Sequence, residues 1–194
     1  MIAYRAVDRL GLRPFLRLLF RIEVQGAERI PERGGCILTA NHESLADPFI
    51  LGVATRRKIR YMAKAELYGF WPLRVAMRAF GTFPVERGSG DRAAISEAAR
   101  LLEAGEVLGI FPQGTSKRID PRPYRRGAAR LALATGAPIV PVLLVGTRGI
   151  LRPGFPKVRI VVGEPIHVER ARPTAAEAGQ LMERVERQIL DLAA

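Results

Sequence analysis

A chain of 194 residues, 48% of them hydrophobic, is long enough for one well-packed domain and too short for two comfortable ones. Its single cysteine, Cys36, excludes a disulfide framework and a cysteine-built metal site, and points to a reducing compartment. The net charge of +12, from 31 basic and 19 acidic residues, points to an anionic partner without choosing among nucleic acid, anionic lipid and phosphorylated substrate.

The first 22 residues, MIAYRAVDRLGLRPFLRLLFRI, place Arg5, Arg9, Arg13, Arg17 and Arg21 at every fourth position. They lack the uninterrupted apolar core of an export signal, and nowhere does the chain run to about 18 apolar residues, enough to span a bilayer. As a helix the segment winds its arginines in a slowly turning stripe, because a step of four overshoots one turn by about 40 degrees. Ile2, Val7, Leu10, Phe15, Leu16, Leu19 and Phe20 supply apolar surface, with Gly11 and Pro14 bending or breaking the middle. Residues 1–22 therefore read as a basic amphipathic segment, suited to the plane of an anionic membrane or to packing on the domain formed by residues 23–194.

GGCILTANH reads as a strand entering a turn, with Cys36 a small buried hydrophobe, and DPFILGVAT as a helix. KIRYMAKAEL returns toward the sheet. TFPVER is a short strand whose Pro84 suggests an edge or a bulge. Asp91 can cap RAAISEAARLLEAG, where Ile95, Ala98, Leu101 and Leu102 share a helical face and Gly105 ends the helix. EVLGIFP is the next strand, RRGAARLALATG a helix closing at Gly136, and APIVPVLLVG and KVRIVVGEPI are further strands. Thr174, with Glu177 three residues on, forms a capping box for a last helix that buries Leu181, Val185, Ile189 and Leu192. Strands alternating with helices predict an α/β fold, a single layered domain with a largely parallel sheet flanked by helices. Ligands of such sheets sit at the carboxyl ends of strands, here the turns after Ala40, Glu86 and Phe111.

The turn TANHESLADPF holds one of only two histidines, His42, five residues before Asp47. Asp47 followed by Pro48 can simply start a helix, and His42 can be an ordinary turn residue. Alternatively the carboxylate accepts the imidazole Nδ1 hydrogen, which fixes the tautomer and leaves Nε2 to take a proton. Two further segments suit phosphate. GTFPVER ends in Arg87, and arginine grips a phosphate with two parallel hydrogen bonds. FPQGTSK sets Gly114 where backbone can approach a ligand, with Thr115, Ser116 and Lys117 as donors; the spacing is not that of a Walker loop. The apolar stretch from Leu67 to Phe80, with Phe70 and Trp71, reads as the wall of an acyl pocket or as ordinary core. His167, the other histidine, reads as a surface or strand-end residue.

Taken in order, NHESLAD, GTFPVER, FPQGTSK and IVPV resemble the four sequence blocks of the glycerolipid acyltransferases, the 1-acyl-glycerol-3-phosphate acyltransferase type. AKAEL, GAARLALATGAPIVPV and VVGEPI agree as well, so the resemblance covers roughly residues 23–168. It implies a glycerol-3-phosphate acyltransferase-like fold and transfer of a fatty acyl group from a coenzyme A or acyl carrier protein thioester to a lysophospholipid hydroxyl. By the same resemblance His42 is the base and Asp47 its partner, and Arg87 holds the acceptor's phosphate. Asn41, Gln113, Gly114, Thr115, Ser116 and Lys117 join Arg87 as expected substrate-binding positions, and Pro141 matches the fourth block. Two departures stand out: Gln113 replaces the family's usual Glu, and Ser116 replaces an arginine that often follows the threonine. No metal and no cofactor beyond the thioester donor is expected.

The expected setting is the cytoplasm, at the inner face of the cell membrane, with the anionic surface as a partner. Alternatives are a different acceptor (glycerol-3-phosphate, a lyso-glycolipid, an amino-acid-derived lyso-lipid) or a lipid-binding protein that has lost turnover. A nucleic-acid partner is disfavoured by 7% aromatic content and the lack of a reader motif.

Overall fold

The computed structural model describes residues 12–64, 68–69, 71, 74–75, 81–85, 92–114, 124–150 and 157–193. Helix α1 (Leu12–Leu19) precedes β1 (Glu23–Gln25), and β2 (Cys36–Ala40) leads through the histidine turn into the short α2 (Asp47–Leu51). Next come β3 (Ile59–Lys64), β4 (Thr82–Val85), α3 (Arg92–Glu103), β5 (Val107–Ile110), α4 (Gly127–Thr135) and β6 (Ile139–Val145). The chain closes with β7 (Arg159–Val162) and α5 (Ala175–Asp191).

These strands form a seven-stranded sheet in the order β1-β7-β6-β2-β5-β3-β4, parallel throughout except for the antiparallel β6–β7 pair. The expected fold class is therefore what the chain adopts. Pro84 lies in β4, at the edge of the sheet, where a missing N–H costs no ladder bond.

Alternation along the strands sorts the core into two layers. Cys36, Leu38 and Ala40 of β2 join Ile59, Val107, Val140, Val142 and Ile160 on one face, covered by Ile50 and Leu51 of α2 and by Leu16 of α1. Ile37, Leu108, Ile139 and Leu143 point to the other face, against Ala98 and Leu101 of α3, Leu131 of α4, and Met182 and Val185 of α5. Cys36 is fully buried, which pushes its thiol up to about 11 despite the opposing pull of the Arg57 guanidinium.

In α3 the buried positions are Ala94, Ala98, Leu101 and Leu102, while Ile95 is half exposed. The face that meets the sheet starts one residue earlier than the apolar pattern suggested. Likewise α5 buries Ala178, Met182, Val185 and Ile189 fully, leaving Leu181 and Leu192 only partly covered at its margins. Its capping box forms as expected: Thr174 Oγ1 accepts the Glu177 N–H at 3.2 Å, and Glu177 Oε2 accepts the Thr174 N–H at 3.1 Å. Asp91, Phe70 and most of the stretch 67–80 lie outside the described residues; within it, Trp71 and Val75 are largely exposed. Among the described residues no helix is long and apolar enough to cross a membrane.

Candidate active site

Parallel pairing brings two strand ends together. Thr39 of β2 lies opposite Ile110 of β5, and Ala40 opposite Val142 of β6, so the turns after β2 and β5 leave the sheet side by side. The first carries Asn41 and His42, the second Phe111, Pro112, Gln113 and Gly114.

His42 and Asp47 do converge. His42 Nδ1 lies 2.8 Å from Asp47 Oδ2, and the Asp47 side chain is completely buried while the imidazole keeps 15% exposure. A carboxylate accepts and cannot donate, so the shared proton sits on Nδ1 and the Nε2 lone pair is left free. The same oxygen, Oδ2, accepts the backbone N–H groups of Glu43 at 2.7 Å and Ser44 at 2.9 Å. Three donors on one oxygen offset the cost of burying a carboxylate, and they wrap residues 42–44 around it. The sequence allowed Asp47 to be a helix cap. Instead Ala46 is the cap residue, and Asp47 opens α2 with its carboxylate turned back toward the histidine.

The neighbouring strands hold the imidazole from other sides. Its ring stacks on Phe111 with centroids 4.4 Å apart, and Phe111 in turn stacks on Tyr61 of β3 at 6.2 Å. Gly109 makes room for that tyrosine: a Cβ there would come within 2.2 Å of the ring. Tyr61 Oη donates to the carbonyl of Pro48 at 2.8 Å, tying β3 to the first turn of α2. The His42 backbone N–H donates to Oε1 of Gln113. Asn41 is turned away from this contact: its Nδ2 donates to Leu144 O at 2.9 Å, and its Oδ1 accepts the Leu144 N–H at 2.7 Å. Both Gln113 and Asn41 thus support the histidine turn directly. Glu43, beside His42, pairs with Arg148 at 3.9 Å.

Gly114 sits in the turn with φ of +72°, as expected of a glycine placed there. Arg87, Thr115, Ser116 and Lys117 lie outside the described residues. His167 is exposed, as its position after the last strand predicts. Among the described residues no group of three His, Cys, Asp or Glu side chains is arranged to hold a metal ion. Sequence reasoning missed Phe111, Tyr61 and Leu144. The aromatic that opens FPQGTSK was the available signal for the first, whereas the other two are neighbours only through strand pairing.

Comparison with known proteins identifies the family of the chain. The family model described as Acyltransferase matches residues 21–145. The chain is 32% identical over 161 residues to the 1-acyl-sn-glycerol-3-phosphate acyltransferase of Bacillus subtilis, covering 81% of this chain and 79% of that protein. It is 27% identical to the chloroplastic 1-acyl-sn-glycerol-3-phosphate acyltransferase BAT2 of Brassica napus, spanning 82% of this chain and 49% of the plant protein. The crystal structure of the 1-acyl-sn-glycerophosphate acyltransferase PlsC from Thermotoga maritima superposes with a TM-score of 0.74 at 26% identity, over 98% of this chain and 80% of that one. With the blocks in order, the sheet in register and the match spanning most of its length, this chain belongs to the acyltransferase family.

Proposed function

We propose that the protein transfers a fatty acyl group from a thioester to the free hydroxyl of 1-acyl-glycerol-3-phosphate, giving phosphatidic acid for phospholipid synthesis. The observation that carries this reading is the buried Asp47 carboxylate 2.8 Å from His42 Nδ1. Its relatives' names supply the acceptor.

In this mechanism Nε2 of His42 takes the hydroxyl proton as the oxygen attacks the thioester carbonyl. Asp47 stabilises the imidazolium formed. The tetrahedral intermediate then collapses, the C–S bond breaks, and the thiolate of coenzyme A or acyl carrier protein leaves with the proton returned by His42. A thioester is already activated, so this scheme needs neither a metal nor a covalent enzyme intermediate. Gln113 keeps the acceptor oxygen that the His42 N–H uses, so the change from Glu leaves that support in place and weighs against a scaffold that has lost turnover. Acceptance of the donor at the cytoplasmic face of an anionic membrane, with residues 1–22 as the surface segment, completes the reading; Phe15 and Leu18 of α1 are exposed there.

The test is His42→Ala, assayed with a labelled acyl thioester and 1-acyl-glycerol-3-phosphate. Loss of roughly 100- to 10,000-fold in kcat is expected. Undiminished turnover in that variant refutes the assigned base.

A further inference from the structure

We propose that the guanidinium of Arg125, a residue outside all four sequence blocks, binds the phosphate monoester of the acceptor beside His42; the proposal rests on the acceptor reading above. Arg125 lies over Gly114. A Cβ on Gly114 would lie 2.8 Å from both Cζ and Nε of Arg125 and 3.2 Å from Nη1, so the guanidinium fills the space where a side chain would stand. The Arg125 N–H donates to Pro112 O at 3.0 Å, and the Gly114 N–H to Phe111 O at 3.1 Å. Between them Gln113 accepts the backbone N–H of His42, and Phe111 stacks on the imidazole. Guanidinium and imidazole are therefore held by the same four-residue turn, Phe111 to Gly114.

Among the described residues, the other arginines near this turn are engaged. Arg126 points the opposite way, donating to Ala175 O at 3.2 Å and lying over Gly179 of α5. Arg148 pairs with Glu43. Arg125 is exposed, and among the described residues no carboxylate pairs with it. An uncompensated guanidinium offers a planar fork of N–H donors that matches two oxygens of a phosphate. In 1-acyl-glycerol-3-phosphate the phosphorus is three covalent bonds from the carbon bearing the hydroxyl. A base and a phosphate holder for that molecule must stand close together, and both of these side chains neighbour the same four-residue turn.

The experiment compares the wild type with Arg125→Gln and Arg125→Lys, using one acyl thioester and two acceptors: 1-acyl-glycerol-3-phosphate and phosphate-free 1-acylglycerol. Arg125→Gln should raise KM for the phosphate acceptor about 10- to 100-fold with kcat little changed, the loss expected for one charge-assisted contact. Turnover of the phosphate-free acceptor should stay as in the wild type, and Arg125→Lys should recover part of the loss. Inhibition by glycerol-3-phosphate, which carries the phosphate without the acyl chain, should weaken in Arg125→Gln by a similar factor. Equal losses on both acceptors, or an unchanged KM together with unchanged inhibition, overturn the proposal. A wild-type enzyme that acylates other acceptors but never the phosphate monoester overturns the acceptor reading itself, and this proposal with it.

Discussion

Asp47 concentrates its bonding on a single oxygen: Oδ2 serves the imidazole and two backbone N–H groups, while Oδ1 is buried with no partner among the described residues. Asp47→Asn retains the shape of the carboxylate but can offer the imidazole an N–H in place of an acceptor. That destabilises the tautomer with Nε2 free and any imidazolium formed in the reaction. Turnover should fall roughly 100- to 10,000-fold with little change in acceptor KM, measurable by steady-state kinetics on the purified variant. Retained kcat would count against an orienting carboxylate. At this scale the pair itself was legible in the sequence, because a histidine and an aspartate five residues apart share one turn. The role of Gln113 was not. FPQGTSK suggests only a substrate turn, and nothing in it signals that Gln113 Oε1 accepts the N–H of a residue 71 positions away, a contact only strand pairing creates. Arg125 gives no signal in the sequence either, because its approach to Gly114 arises only in the folded chain.

Among elements, β3 and β5 pair in parallel, and an ion pair reinforces their start. Arg60 Nε and Nη2 donate to the two carboxylate oxygens of Glu106 at 2.9 and 3.0 Å. This hydrogen bonding holds the Glu106 carboxyl below its ordinary 4.5 and outweighs the opposing effect of burial. Because the folded value is depressed, the stabilisation is fully present above pH 4.5 and lost as pH falls through the lower folded value. Glu106→Gln should cost about 0.5 kcal/mol in urea denaturation at neutral pH, the modest worth of a partly exposed pair. The gap between variant and wild type should close in strong acid; a gap independent of pH would mean packing, not charge, is what the substitution removes. Element types were readable from apolar periodicity, and Pro84 correctly marked an edge. The margins of the helices were less so: Ile95 in α3 and Leu181 in α5 continue the apolar pattern but fall just beside the line of contact with the sheet. Sequence gives the period of a helical face, while the partner surface decides its phase.

For the whole molecule, the +12 charge and the partly packed α1 belong together. Leu16 and Phe20 pack against the core and Arg17 donates to Val53 O at 3.4 Å, so α1 is docked on the domain, while Phe15 (56%) and Leu18 (82%) face outward. Both sequence options for this segment, packing and membrane contact, are thus compatible on opposite sides of one helix. Co-sedimentation with vesicles containing anionic lipid should be strong at low salt and fall steeply as ionic strength approaches about 1 M, where the screening length shrinks to about 3 Å. Zwitterionic vesicles should retain far less protein, and the double variant Phe15→Ser, Leu18→Ser should bind anionic vesicles more weakly at every salt concentration. Binding indifferent to lipid charge would refute electrostatic attraction. The side chain of Asn41 has a wider consequence. Its carboxamide pairs with Leu144 as a backbone unit would, carrying the β2–β6 ladder one rung beyond the last paired strand residue and directly up to His42. The conformational entropy of that loop is therefore surrendered when the protein folds, and any arriving ligand meets an imidazole already stationed.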